Sequence, residues 1–359
     1  MTRYRVILRT LSEIHIGDGQ TLLREYDFTV HEGRFYRLSV SRLLQGYAEA
    51  ELTPSVLERL TRLPPGRWLS PEDFRRKEWF LYALEGDPKV GAVRSFIKDV
   101  HGRPYLPGSS LKGALRTAIL WRIWRERREP IRLSQLGRQR EWAAQPLERR
   151  WLGSDPHHDL LRALRPGDTG PLPPEEALVV VRAVVQVGPR QAAPLALEAL
   201  RPGMTLEGRL TVDEGLLAVG AAELGWEGKE RYVRGLAAVA RDFALDRVRK
   251  EAAWARAAGL TALEAFYGDL ERRLRRMREE KADAFLLRVG WGGGWESKTL
   301  GREPFEDAEF EELLRRYIRP KGRRRPGDPF PRSRRVVVDE RDRPIRPFGW
   351  VEVRLERES

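Results

Sequence analysis

The stretch Tyr-Leu-Pro-Gly-Ser-Ser-Leu-Lys-Gly-Ala-Leu-Arg-Thr-Ala at 105–118 constrains this chain most, because the periodicity changes inside it. Pro107 and Gly108 end an extended segment. Ser109 or Ser110 then stands where a hydroxyl accepts from the free N–H groups of a helix start. Leu111, Leu115, Ala118 and Ile119 recur at helical spacing and predict a buried stripe, continued by Trp121, Ile123 and Trp124 to about residue 128. Lys112 and Arg116 stand four apart on another face. Two like charges at that spacing cost an isolated helix a few tenths of a kcal/mol. The cost reverses when an anion sits near the positive end of the helix. The stretch therefore reads as a phosphate cradle or, more plainly, as a capped helix with a solvated basic face.

Charge favours the first reading. The 359 residues carry a formal net charge of +13, and nine lysines among 66 basic residues leave 57 arginines. Arginine forks onto phosphate and stacks on bases, whereas lysine is a point charge, so the bias points to a nucleic-acid partner. With no cysteine, disulfides, thiolate metal sites and cysteine nucleophiles are excluded. No run approaches 18 apolar residues and the N-terminus alternates as a strand does, so a soluble, cytoplasmic protein away from membranes is expected.

Along the chain, 4–11 predicts a strand that enters a glycine turn at 12–19. Residues 26–30 and 34–40 read as a hairpin, followed by a helix at 42–51 and a proline-broken helical pattern over 54–84. A second hairpin is expected from 94–100 and 103–106. Residues 129–165 read as a helical insertion, 166–174 as a linker, and 178–187 as a central strand. Strands at 195–200 and 204–212, long helices at 230–259 and 261–281, and a strand at 284–289 follow. After a helix at 306–317 and a Pro/Gly/Arg-rich mobile segment at 319–335, strands at 336–338 and 349–355 close the chain. The expected fold class is α+β, with two ferredoxin-like sandwiches. The first covers 1–175, with helical insertions at about 42–90 and 120–165, and the second covers 176–359.

Two further segments suit an anion. In Gly-Trp-Gly-Gly-Gly-Trp-Glu-Ser-Lys-Thr at 290–299, Gly292, Gly293 and Gly294 clear the way to backbone N–H groups, Lys298 adds charge, and Trp291 and Trp295 offer faces for bases. A nucleotide-triphosphate loop needs glycine directly before its lysine, and Ser297 stands there, so that reading is rejected. In the turn at 12–19, Gly17 and Gly19 permit close backbone approach, and His15 is a phosphate ligand or a general base. Asp27 in the first hairpin is the other catalytic candidate, as an acid beside an RNA backbone. Each has a bland reading, a hydrogen-bonded histidine and a surface acid. No metal-ligand spacing, nucleophile elbow or paired-carboxylate motif occurs, so neither a metal nor a cofactor is expected.

Three of these segments together resemble the RAMP superfamily of CRISPR RNA-binding subunits: Leu-Ser-Glu-Ile-His-Ile-Gly-Asp-Gly at 11–19, Leu-Pro-Gly-Ser-Ser-Leu-Lys-Gly at 106–113, and the glycines at 290–294. Within it the chain is most similar to the Csm5-type capping subunits of type III-A (Csm) effector complexes, on Tyr-Asp-Phe at 26–28, Tyr-Arg-Leu-Ser at 36–39, the glycine-tryptophan loop, and Pro-Phe-Gly-Trp-Val at 347–351. The resemblance implies two RRM-like RAMP domains and a non-catalytic crRNA-binding role. It also implies a place at the end of the backbone near the crRNA 3′ end, where the subunit assists crRNA maturation in antiviral defence. Partners implied are crRNA, neighbouring backbone subunits of the ribonucleoprotein, target RNA and cellular nucleases. Backbone subunits of such complexes cut target RNA with a first-domain aspartate; the capping subunit is not expected to cut, and the standing of Asp27 is open. RNA contacts are expected at His15, Gly17, Gly19, Ser109, Ser110, Lys112, Arg116, Trp291, Gly292, Gly293, Gly294, Trp295 and Lys298. The alternative from another class is a metal-independent endoribonuclease that processes precursor crRNA with His15 as base.

Overall fold

The computed structural model describes residues 1–49, 53–318, 325 and 327–358. Most of the arginine-rich stretch at 319–326 and the end of the helix expected at 42–51 lie outside them. The strands in chain order are β1 (Thr2–Thr10), β2 (Gly17–Leu23), β3 (Phe28–His31), β4 (Arg34–Leu38), β5 (Phe80–Glu85), β6 (Ala92–Phe96), β7 (Leu164–Pro166), β8 (Leu178–Val187), β9 (Arg190–Gln191), β10 (Leu195–Leu200), β11 (Thr205–Val212), β12 (Ala284–Arg288), β13 (Ser333–Val338), β14 (Pro344–Pro347) and β15 (Trp350–Arg357). They make a mixed α+β structure of three sheets.

The first sheet has the order β12-β15-β1-β11-β7, and every neighbouring pair in it is antiparallel. The Gly108–Arg127 helix lies in the chain between β1 and β7, and the Leu236–Ala257 helix between β11 and β15. β1 is central because its inward residues Val6 and Leu8 are buried while Arg3, Arg5 and Arg9 stay outside. The second sheet has the order β14-β13-β8-β10-β6-β2, with β6 and β10 parallel. β8 sits inside this sheet, as its near-continuous apolar run requires. The third is the small sheet β3-β4-β5. Both larger sheets draw strands from either side of residue 175, so the Pro166–Pro174 segment divides the sequence but not the sheets.

Four elements differ from the sequence expectation. Residues 80–85 form a strand, not the end of a helical run: Phe80, Tyr82 and Leu84 alternate inward while Leu81 and Glu85 face out. The second hairpin does not form. β6 pairs with β2 and β10, and only an isolated bridge joins Lys98 to Pro104, where Pro104 and Pro107 have no N–H to donate to a ladder. The glycine turn at 12–19 continues directly into β2. The predicted long helix from 230 is broken at Gly235 into Glu230–Arg234 and Leu236–Ala257.

Behind the second sheet lies a buried ionic cluster. Glu251, fully buried on the Leu236–Ala257 helix, accepts from Arg334 Nε at 2.7 Å and from the Tyr267 hydroxyl at 3.1 Å, with Arg288 Nη1 at 3.5 Å. Arg288 also donates to the carbonyls of Phe348 at 2.8 Å and Gly292 at 3.2 Å, which ties the cluster to the glycine loop.

Candidate nucleic-acid interface

β12 runs into the glycine loop. Gly290, Gly292 and Gly294 have φ of +72°, +92° and +62°, which an L side chain adopts only with strain. A Cβ at residue 290 would lie 2.5 Å from the His15 carbonyl oxygen, and one at 292 would lie 2.7 Å from Phe348 Cβ. Gly293 has an ordinary φ of −61° and opens the Gly294–Lys298 helix. The Trp291 N–H donates to the His15 carbonyl at 2.8 Å, and the two rings meet edge to face at 6.2 Å. The two glycine turns, 276 residues apart in sequence, thus form one surface. Glu296, the one acid in the loop, turns inward onto Arg247 Nη1 at 3.0 Å, and burial raises its carboxyl. Its charge is therefore not presented at the surface.

His15 is 3% exposed. Its Nδ1 donates to the Glu198 carbonyl at 2.7 Å. Burial, and next among the lowering causes Arg94, pushes the imidazole below its usual range, against the pull of the Glu198 carbonyl and charge. Gly17 leaves room for the ring, since a Cβ there would sit 3.1 Å from His15 Nε2. The buried Glu198 carboxylate accepts from Lys98 at 2.5 Å, Tyr82 at 2.7 Å and the Phe96 N–H at 2.9 Å, fixing the strand that carries the acceptor for His15. Gly19, with φ of +88° and nothing near it, lies exposed at the turn.

The helix start differs most from the sequence reading. The helix begins at Gly108 with Pro107 as its N-cap, one residue before the serines, and the N-cap residue itself supplies no side-chain bond. The Gly108 N–H instead donates to Asp168 Oδ1 at 2.8 Å, and Thr169 Oγ1 takes the Leu106 N–H at 2.9 Å. A carboxylate of the chain thus holds one of the N–H groups expected for phosphate. Arg116 is likewise engaged, by Glu148 at 2.8 Å and Asp159 at 2.7 Å. Burial works against its charge, but these two acids raise it. Lys112 makes no ion pair among the described residues, and partial burial lowers its ammonium.

Trp295 packs edge-on against Phe310 at 6.3 Å and Phe330 at 5.3 Å, an anchor rather than an open platform. With Lys298, Arg116, Leu120, Trp151 and Tyr317 it lines a cavity of about 450 Å³ between the loop, the Gly108–Arg127 helix and the insertion. Lys298 is exposed; partial desolvation, then Arg335 and Arg288, lower its ammonium. Asp27 lies apart from His15. Its Oδ2 accepts from the Leu23 N–H at 2.8 Å, and Arg37 lies 3.5 Å from Oδ1, so it closes a turn.

Residues 7–297 match the family model of the RAMP superfamily. The chain belongs to the RAMP superfamily. Among curated RAMP relatives, the CRISPR system Cms protein Csm5 of Mycobacterium tuberculosis is 32% identical over 163 residues, a match that spans 42% of this chain and 42% of that protein. The protein of the same name from Streptococcus thermophilus is 25% identical over 323 residues, covering 80% of this chain and 87% of that one. In fold, the chain is similar to a chain of a type III-A Csm–crRNA–target RNA ternary complex, with a TM-score of 0.67, 24% identity and coverage of 99% and 100%. It is also similar to T. onnurineus Csm5, with a TM-score of 0.64, 23% identity and coverage of 96% and 99%. The RAMP resemblance carried by the three motifs, and its Csm5-type branch, is thereby borne out.

The RAMP glycine loop also gathers two residues that the sequence reading did not single out, Arg94 on β6 and Arg335 on β13. Their guanidinium carbons lie 5.7 Å and 5.0 Å from the centre of the Trp291 ring. Nothing local marks either one among 57 arginines; only the sheet order brings them together. Among the described residues no helix is long and apolar enough to cross a membrane, and no group of three His, Asp or Glu residues is arranged to hold a metal.

Proposed function

We propose that this chain is an RNA-holding subunit of a type III-A Csm ribonucleoprotein. It caps the backbone near the crRNA 3′ end, assists maturation of crRNA intermediates in antiviral defence, and works in the cytoplasm. The observation that carries this reading is the joining of the two glycine turns: exposed Gly17 and Gly19 and half-buried Gly294 lie with exposed Lys298, Arg94 and Arg335, while Gly292 and Gly293 are buried beneath and the loop's acid is turned inward. Backbone glycines and cations hold phosphates without reading bases, which a subunit carrying variable guides requires. The relatives named Csm5 and the fold shared with a chain of a Csm–crRNA complex support the same assignment. Neighbouring backbone subunits, target RNA and cellular nucleases are the partners in this reading. The chain itself cuts no RNA here: His15 is buried with Nδ1 committed to a carbonyl, and Asp27 is spent on a turn. We read the order β15-β1-β11-β7, with its two crossover helices, as one ferredoxin-like unit, and the second sheet as the core of the other.

The test is co-expression of a tagged copy with the other Csm subunits and a crRNA array. Recovery of the subunits with crRNA of defined 3′ ends is expected, and Lys298→Ala with Lys112→Ala lowers the RNA recovered. A copy that purifies free of both RNA and subunits overturns the reading. Cleavage of precursor RNA by the pure chain in EDTA, lost in His15→Ala, would establish the endoribonuclease instead.

A further inference from the structure

Trp291 is held too firmly to be a loose surface ring. Its N–H is bonded to the His15 carbonyl, and its ring lies edge-on to Phe348 at 5.3 Å. It packs on a patch that includes Ala183, Leu197, Ala199 and Val337 of the second sheet. The two alanines leave the strand surface low enough for the loop to lie on it. Arg94 comes from β6 and Arg335 from β13, with β8 and β10 lying between those strands, and both guanidiniums reach the one ring.

Stacking on an aromatic ring aligns a guanidinium and leaves its N–H fork unused. Both arginines are exposed, and neither has a carboxylate partner among the described residues. Two cations also crowd one another across the loop: Arg335 is among the causes that lower Lys298. Like charges gathered without a counter-charge favour an anion that bridges them.

We propose that Arg94, Trp291 and Arg335 form a phosphate clamp in which the indole is the plate that aligns two guanidiniums, and their free edges grip the backbone of a single-stranded RNA that passes over the Trp291 end of the glycine loop. The clamp rests on the RNA-holding reading above and adds its chemistry: two charge-assisted forks to phosphate and no base readout. Trp291 is then a positioning residue, not the stacking platform that the sequence suggested.

The test uses the purified full chain and a fluorescein-labelled single-stranded RNA of mixed sequence, alone and in a form with abasic residues, with anisotropy measured across a salt series. Wild type is expected to bind both RNAs alike. Arg94→Ala with Arg335→Ala is expected to weaken binding about tenfold or more at low salt and to flatten the slope of log K against log salt by about 1.4, two phosphate contacts for a single strand. Trp291→Phe is expected to keep most of the affinity, while Trp291→Ala falls toward the double arginine variant and gains little from combination with it. Urea midpoints equal to wild type verify that the arginine variants are folded. Failure of wild type to bind RNA overturns the RNA-holding reading and the clamp with it. A double variant that keeps wild-type affinity and slope overturns the clamp alone. Weaker binding of abasic RNA, abolished by Trp291→Ala, makes the indole a base platform and also overturns it. So does a double variant that keeps RNA but loses the neighbouring subunit in pull-down, because the arginines then hold a protein.

Discussion

Replacing Glu251 with alanine removes the one carboxylate that two interior guanidiniums share. The side chains of Arg288 and Arg334 are 2% and 8% exposed, and Glu251 is fully buried. Arg334 loses a 2.7 Å bond, Tyr267 loses its acceptor at 3.1 Å, and Arg288 Nη1, which has no hydrogen-bond partner, loses the opposing charge 3.5 Å away, its one ion-pair partner among the described residues. Breaking a buried pair from one side costs about 3–5 kcal/mol, because the charge left behind stays desolvated. The exposed pair Arg5–Glu207, at 2.6 Å with both side chains about half exposed, sets the contrast, because water screens it and holding two long side chains together costs entropy. Urea unfolding followed by tryptophan fluorescence compares Glu251→Ala with Glu207→Ala. The interior variant is expected to lose several-fold more stability at similar m-value. It is also expected to weaken RNA binding, because Arg288 holds the carbonyls of Phe348 and Gly292. A loss no larger than that of Glu207→Ala would refute the reasoning, since the cluster would then be worth no more than a surface pair.

Burial lowers the folded-state pKa of His15 beneath its unfolded value near 6.5. As pH falls through that value the unfolded chain takes up a proton that the folded chain refuses, so stability is lost until the lowered folded value is reached. His15→Asn should flatten this slope below pH 6.5 in urea titrations, and an unchanged slope would remove His15 as its source. Asp168→Ala should destabilise by about 1 kcal/mol, as loss of a helix cap does, whereas Ser109→Ala should be within about 0.5 kcal/mol of wild type. The reverse order in thermal unfolding would restore the serine as cap.

What was legible in the sequence was local. The Gly108–Arg127 helix, the β3–β4 hairpin and β8 each follow from a periodicity or turn within about twenty residues. β5 carried its signal too, in the alternation of Phe80, Tyr82 and Leu84, but the helical pattern upstream obscured it. What could not be read was pairing. β6 finds β10 about a hundred residues away, and no property of either strand names the other. The site divides in the same way. Glycines and Lys298 were visible because their chemistry is local, whereas Asp168 at the helix start, Glu148 and Asp159 on Arg116, and the two arginines over Trp291 depend on neighbours that only the fold supplies.

The place of β1 at the centre of the first sheet also bears on how the protein is made. One of its partners is β11 and the other is β15, which leaves the ribosome long after β1. At about 5–20 residues per second, roughly 20–70 s pass between the emergence of β1 and that of β15. Throughout that interval at least one edge of β1 is bare, and a bare edge recruits other strands. Arg3, Arg5 and Arg9, outward-facing along this edge, guard it with like charge while the chain is still growing. The frame that presents the glycine loop therefore closes only once β15 has emerged. A ribosome-stalled chain lacking β15 should be protease-sensitive throughout its first sheet.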